Sequence, residues 1–190
     1  MRTHNAIMRP LAYALAICVL APAGVPAQHV HGVVELGVVV EGGTVAVSLI
    51  APLSDVVGFE HAPESDEQLE IIREAAAMLS NADAMFGLAD SADCRISDTS
   101  VEGPGYVVQH LAEDHADSAV HDDHDSEQHE EINASYEWVC GNVSDLESLD
   151  LRFTESFASV ETIEIQILTS AGAHVTTAEG RASSVSLSPR

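Results

Sequence analysis

The sequence predicts an α+β fold: a mostly antiparallel β-sheet, one main packed helix, and a long acidic His-rich loop inserted in a hairpin. Three observations carry this. Several short segments rich in β-branched residues alternate polar and apolar side chains, as a sheet with one wet face does. One stretch alone, around 66–79, places apolar residues at 3–4 spacing behind a good N-cap. Residues 102–132 differ in composition from everything around them.

The elements follow in order. Arg2 and Arg9 flank a short start, and an apolar run extends from Leu11 to Leu20. It is about half the length needed to cross a bilayer as a helix. Pro22, Gly24 and Pro26 break it, and Val25-Pro26-Ala27 suits a signal-peptidase cut. Residues 1–27 are therefore read as a signal peptide and 28–190 as one domain. Lipid attachment at Cys18 is disfavoured, because Ile17 stands where a small residue is wanted. Residues 32–40 and 45–50 form a hairpin about a Gly42-Gly43 turn, and Pro52 ends its second arm. Residues 53–63 look irregular. Ser65 caps a helix running to about Leu79, with Gln68 three residues on and a stripe of Leu69, Ile72, Ala76 and Leu79. Ser80 to Asp83 stop it or start a short second helix through Phe86. Strands are expected at 94–101, 134–140, 148–153 and 162–168, with a tail strand near 183–187 closing the sheet.

Signal-peptide cleavage leaves two cysteines, Cys94 and Cys140. In an exported chain a disulfide is the default pairing, and the spacing lacks the CxxC of a thiolate metal site. If 94–101 and 134–140 are two arms of one hairpin, Cys94 faces Cys140, Ile96 faces Trp138 and Asp98 faces Tyr136. The bond would then sit at the base of the long loop and stabilise by about 3–4 kcal/mol.

The 190 residues include 31 acids and seven basic residues, all Arg, for a net charge of −24. The predicted leader carries two of those Arg and no acid, so the mature chain is at −26. Such a chain will not grip a nucleic-acid backbone or an anionic membrane surface. The 46% apolar content excludes disorder throughout. The acids either serve solubility, as in adaptation to salt, or attract cations.

Their placement bears on that choice. Residues 110–131 hold five His, namely His110, His115, His121, His124 and His129, with nine acids and no basic residue. A segment this charged cannot form a core, and unliganded it should be mobile and expanded. Neutral imidazole binds divalent transition metals, and carboxylates add charge and hard oxygen donors. The donor set fits Zn²⁺ best, with Ni²⁺, Co²⁺ and Cu²⁺ also able to bind. Loose spacing favours several exchanging geometries over one rigid tetrahedron. His29 and His31, two apart on a strand, would point to one side and form half of a second site. The bland reading is a frayed terminus. His61, beside Glu60, either joins them or is a packed or capping residue. His174 follows Gly172 in a turn and reads as ordinary.

His29-x-His31-Gly32 before a hairpin, Gly58-Phe59-Glu60-His61-Ala62-Pro63, a helix, Cys94-Arg95, a His/Asp loop and Cys140 together resemble the periplasmic zinc-uptake proteins of the ZrgA type. The resemblance spans essentially 28–190, and GFEHAP is its most specific piece. It implies zinc binding in the periplasm, in support of an ABC-type zinc importer or its periplasmic binding protein. The loop here is shorter and poorer in His than the family pattern, which leaves the number of bound ions open. Two other readings stand beside a non-enzymatic zinc binder. One is an acidic envelope protein with incidental metal binding, which leaves the clustering of His unexplained. The other is a zinc hydrolase, which needs three fixed ligands and an open position; no HExxH or Ser-nucleophile motif is present.

Overall fold

The computed structural model describes residues 30–110 and 130–188. The signal-peptide assignment, His29, and His115, His121, His124 and His129 of the loop lie outside these residues.

A hairpin opens the fold. β1 (Val33–Glu41) pairs antiparallel with β2 (Thr44–Pro52), with Glu41 opposite Thr44. Gly42 and Gly43 between them have φ of 59° and 90°. Positive φ at both central residues matches the right-handed twist of the arms, which explains the Gly-Gly pair. Pro52 ends β2 and leads into a short helix, α1 (Leu53–Val57). This segment was expected to be irregular; five residues are too few to show a helical period.

The main helix, α2 (Asp66–Leu79), starts where expected. Ser65 accepts a bond from the Gln68 backbone N–H at 3.2 Å. The Gln68 side chain reaches one residue further back than a capping box would, accepting from the Glu64 N–H at 2.7 Å. Ile72, Ala75, Ala76 and Leu79 are buried, while Leu69 is only half-buried. Asn81 caps the short α3 (Ala82–Met85), followed by β3 (Phe86–Gly87).

β4 (Cys94–Glu102) and β5 (Glu131–Cys140) are antiparallel arms enclosing α4 (Gly105–Val108) and the His-rich segment. β6 (Ser148–Leu151), β7 (Thr162–Thr169), β8 (Gly172–Glu179) and β9 (Ser184–Ser186) complete the chain. The main sheet has the order β4-β5-β2-β1-β7-β8, and β3-β6-β9 form a second, small sheet. All neighbours in the main sheet are antiparallel except β1 and β7, which run parallel with Val33 beside Thr162.

Inward-facing side chains of the main sheet, such as Leu36, Leu49, Trp138 and Ile165, pack with α2 and the small sheet into one core. Phe86 sits at its centre, with ring centroids 5.4 Å from Tyr136, 6.4 Å from Trp138 and 5.6 Å from Phe153. Among the described residues, no helix is long and apolar enough to cross a membrane.

Five further expectations need correction. The expected strand at 148–153 stops at Leu151 and belongs to the small sheet. The tail strand pairs with β6 rather than closing the main sheet. His174 lies in β8 opposite Ile167, not in a turn. The Cys94–Cys140 disulfide forms and Ile96 pairs Trp138, but a bulge at Ser97 then shifts the register. Asp98 faces Glu137, and Tyr136 pairs Thr99. The Ser97 hydroxyl donates to the Glu137 carbonyl at 3.0 Å, giving the extra residue a partner. The disulfide also closes the open end of the hairpin. The loop leaves from the other end, beyond Glu102, roughly 27 Å away along the strand.

Candidate metal site

The residues that meet at the loop end of the hairpin come from four places. His31 and Gly32 form the turn into β1. Ser54 and Asp55 sit in the first turn of α1, which ends at Gly58, whose N–H bonds the Ser54 carbonyl at 2.9 Å. Phe59, Glu60 and His61 follow. Glu161 and Thr162 begin β7, and the parallel pairing of β1 with β7 brings them beside Gly32.

Gly32 locks this junction. Its N–H donates to Asp55 Oδ2 at 2.6 Å, and its carbonyl accepts from the N–H groups of Glu161 and Thr162 at 2.8 and 2.9 Å. Its φ is +81°, and a Cβ there would lie 3.1 Å from the Glu161 side chain. Glycine meets both demands. Asp55 is buried. Burial raises its carboxyl pKa above the usual value; the Gly32 N–H and His31 pull it down, and Glu60 and Glu161 push it up. Asp55, Glu60 and Glu161 thus gather carboxylates near His31.

His31 Nδ1 lies 2.7 Å from Ser54 Oγ. Ser54 Oγ donates to Glu60 Oε1 at 3.1 Å, and that carboxylate oxygen is 3.6 Å from His31 Nδ1. His61, from the same segment, turns elsewhere. Its ring packs on Phe59 at 5.1 Å, and its Nδ1 donates to the Ala62 carbonyl at 2.8 Å. The GFEHAP segment thus brings Glu60 to His31, while His61 bonds within its own segment.

The loop is rooted at the same place. Tyr106 of α4, at one foot, donates its hydroxyl to Glu130 Oε2 at the other. The Glu130 carbonyl accepts from the Leu53 N–H at 2.8 Å, tying that foot to the start of α1. The Tyr106 hydroxyl pKa is raised by burial first, then by its bond to Glu130 and the charges of Glu130 and Glu60. His110 is half-buried at the first foot, and among the described residues its buried Nε2 has no hydrogen-bond partner.

Of the sequence-predicted ligands, His31, His61 and His110 are therefore described; only His31 enters the polar network. Among the described residues, no three His, Cys, Asp or Glu side chains stand close enough to hold one ion. Sequence reasoning passed over Ser54, Asp55 and Tyr106, and counted Glu130 only among the loop's acids. Their signal was faint: a Ser-Asp pair between Pro52 and Gly58, and two ordinary loop-flanking residues.

A family model described as "ZrgA family zinc uptake protein" matches residues 28–187. No curated protein matches the chain.

Proposed function

Because this chain belongs to the ZrgA family of zinc uptake proteins, we propose that it is a non-enzymatic periplasmic carrier that captures or buffers Zn²⁺. In this reading His110, His115, His121, His124 and His129, with the acids between them, hold exchangeable zinc. His29, His31 and His61 supply further ligands near the loop's feet. An ABC-type importer or its periplasmic binding protein receives the ion. The Cys94–Cys140 disulfide fits an oxidising compartment.

One observation carries the reading. Both feet of the His-rich segment are fastened beside the His31–Ser54–Glu60 network, through Tyr106, Glu130 and Leu53. The roots of the loop and a structured imidazole therefore lie at one acid-rich end of the described fold. A cation supplies the positive charge that end lacks.

Competition titration of the mature chain with zinc, nickel and copper, counting bound metal, tests this. The expected result is zinc uptake that weakens as pH falls from about 7.5 to 5.5, since imidazole with its ordinary pKa near 6.5 must be neutral to ligate. Zinc binding that stays level over this range would point to carboxylates alone and remove His from the mechanism.

A further inference from the structure

The two edges of the main sheet are built differently. β4 is guarded: it carries Arg95, Asp98 and Glu102, and the bulge at Ser97 breaks its register. Charges and bulges on an edge strand discourage pairing with another chain. β8, at the opposite edge, has neither device. It pairs with β7 over eight residues without a bulge, and Gly172 to Ala178 include no acid, no Arg and no Pro. Among the described residues no strand pairs with its outer side, so alternate backbone N–H and C=O groups point away from the sheet. We propose that β8 is a self-association edge. It pairs antiparallel with β8 of a second copy across a two-fold axis, joining two six-stranded sheets into one.

Three observations select a second copy as the occupant. The first is charge. The chain carries a net −24, so two copies repel wherever their acids face each other. Gly172 to Ala178 can meet their own copy with no like charges opposed. A basic partner would find no acid along this run to pair with. The second is Val175, which at 74% is the most exposed large apolar side chain among the described residues. A two-fold axis through Val175 sets it opposite its own copy, with Ala173 opposite Thr177 on the same outer face. Glu179 then lies beyond the paired run. The third is room. A groove of about 430 Å³ separates β8 from Ser184 to Ser188, and β9 pairs with β6 instead. The space beside the edge is open to a second strand.

The interface is small. One strand pair covers less than the roughly 1,200 Å² of a standard interface, so the dimer is weak and depends on concentration. Salt should strengthen it, because screening reduces the repulsion between two acidic chains.

Sedimentation equilibrium of the mature chain, with chelator present to prevent bridging by metal, tests the proposal. The expected result is a monomer–dimer equilibrium that tightens as NaCl rises from about 0.05 to about 0.5 M. Val175→Glu sets two carboxylates opposite each other and should weaken association by about tenfold or more. Val139→Glu adds the same charge at an exposed position on β5, four strands and about 19 Å away, and should change association little. Circular dichroism checks that both variants fold. Hydrogen exchange at high against low protein concentration should place the gained protection in 172–178. A chain that stays monomeric at millimolar concentration in high salt would overturn the proposal. So would a dimer that Val175→Glu leaves intact, or protection gained on another element. Equal losses in the two variants would overturn it too, by marking general charge repulsion in place of a paired edge.

Discussion

Tyr136 shows how one side chain serves both packing and polarity. Its ring belongs to the aromatic cluster around Phe86, and its hydroxyl donates to the Leu79 carbonyl at 2.7 Å, the last residue of α2. That bond satisfies a helix-end carbonyl in the core, where an unpaired one is costly. Burial alone raises the hydroxyl pKa above its usual value near 10. The sign of the linkage follows. Above pH 10 the unfolded chain releases this proton and the folded chain keeps it. Stability is therefore undiminished below pH 10 and falls as pH rises beyond it, by up to about 1.4 kcal/mol per pH unit. Tyr106 adds a weaker slope of the same sign, being partly open to solvent. Tyr136→Phe should cost about 1–2 kcal/mol at neutral pH, because it strands the Leu79 carbonyl. The same variant should flatten the alkaline slope. Urea unfolding at neutral pH and at several values above 10 measures both; an unchanged slope would show that Tyr136 ionises freely in the folded chain.

At the scale of elements, the β4–β5 hairpin is held at both ends by different means. The disulfide joins Cys94 to Cys140 across a separation of 46 residues, and the Tyr106–Glu130 bond joins the loop's feet. By chain entropy, a loop of that length makes the disulfide worth about 4 kcal/mol. Replacing both cysteines by Ser should lower stability by about that amount in thermal or urea unfolding. Zinc capacity should not change, since the bond lies at the far end from the loop. Zinc lost in proportion to the cysteines would place the metal site at the wrong end. The hairpin also shows what the sequence could reveal. Period-two alternation exposed β1, β2, β5 and β7 because each has one buried face. β8 stayed hidden: no residue of Gly172–Glu179 is fully buried, so neither face carries a pattern. The Ser97 bulge is one hydroxyl finding one carbonyl, which leaves no periodic trace. The His31–Ser54–Glu60 network was equally illegible. It depends on a five-residue helix and on the parallel pairing of β1 with β7, a contact between segments far apart in sequence.

For the whole molecule, the division between a neutral core and a charged insertion makes the two separable. The core cluster draws on both sheets and α2, and from the described part of the His-rich connection it takes Val107 and, partly, Tyr106. A deletion should therefore spare both feet. Removing 110–131 would take away Glu130, which bonds Tyr106 and Leu53, and Glu131, which pairs Pro52 at the end of β2. Removing only 111–129 and bridging with a short Gly-rich turn keeps these contacts. Shortening a connection outside the core changes closure entropy by only about 0.5 kcal/mol. The trimmed chain should thus keep its disulfide, its sheet and nearly all its stability. It should lose most bound zinc, because four of the five clustered His go with the deleted segment. Zinc that remains should depend on His29, His31 and His61. Bound metal counted after gel filtration, with hydrogen exchange to verify the core, gives the answer. A trimmed chain with full zinc content and unchanged affinity would reduce the loop to an acidic tether and move the whole site onto residues around His31.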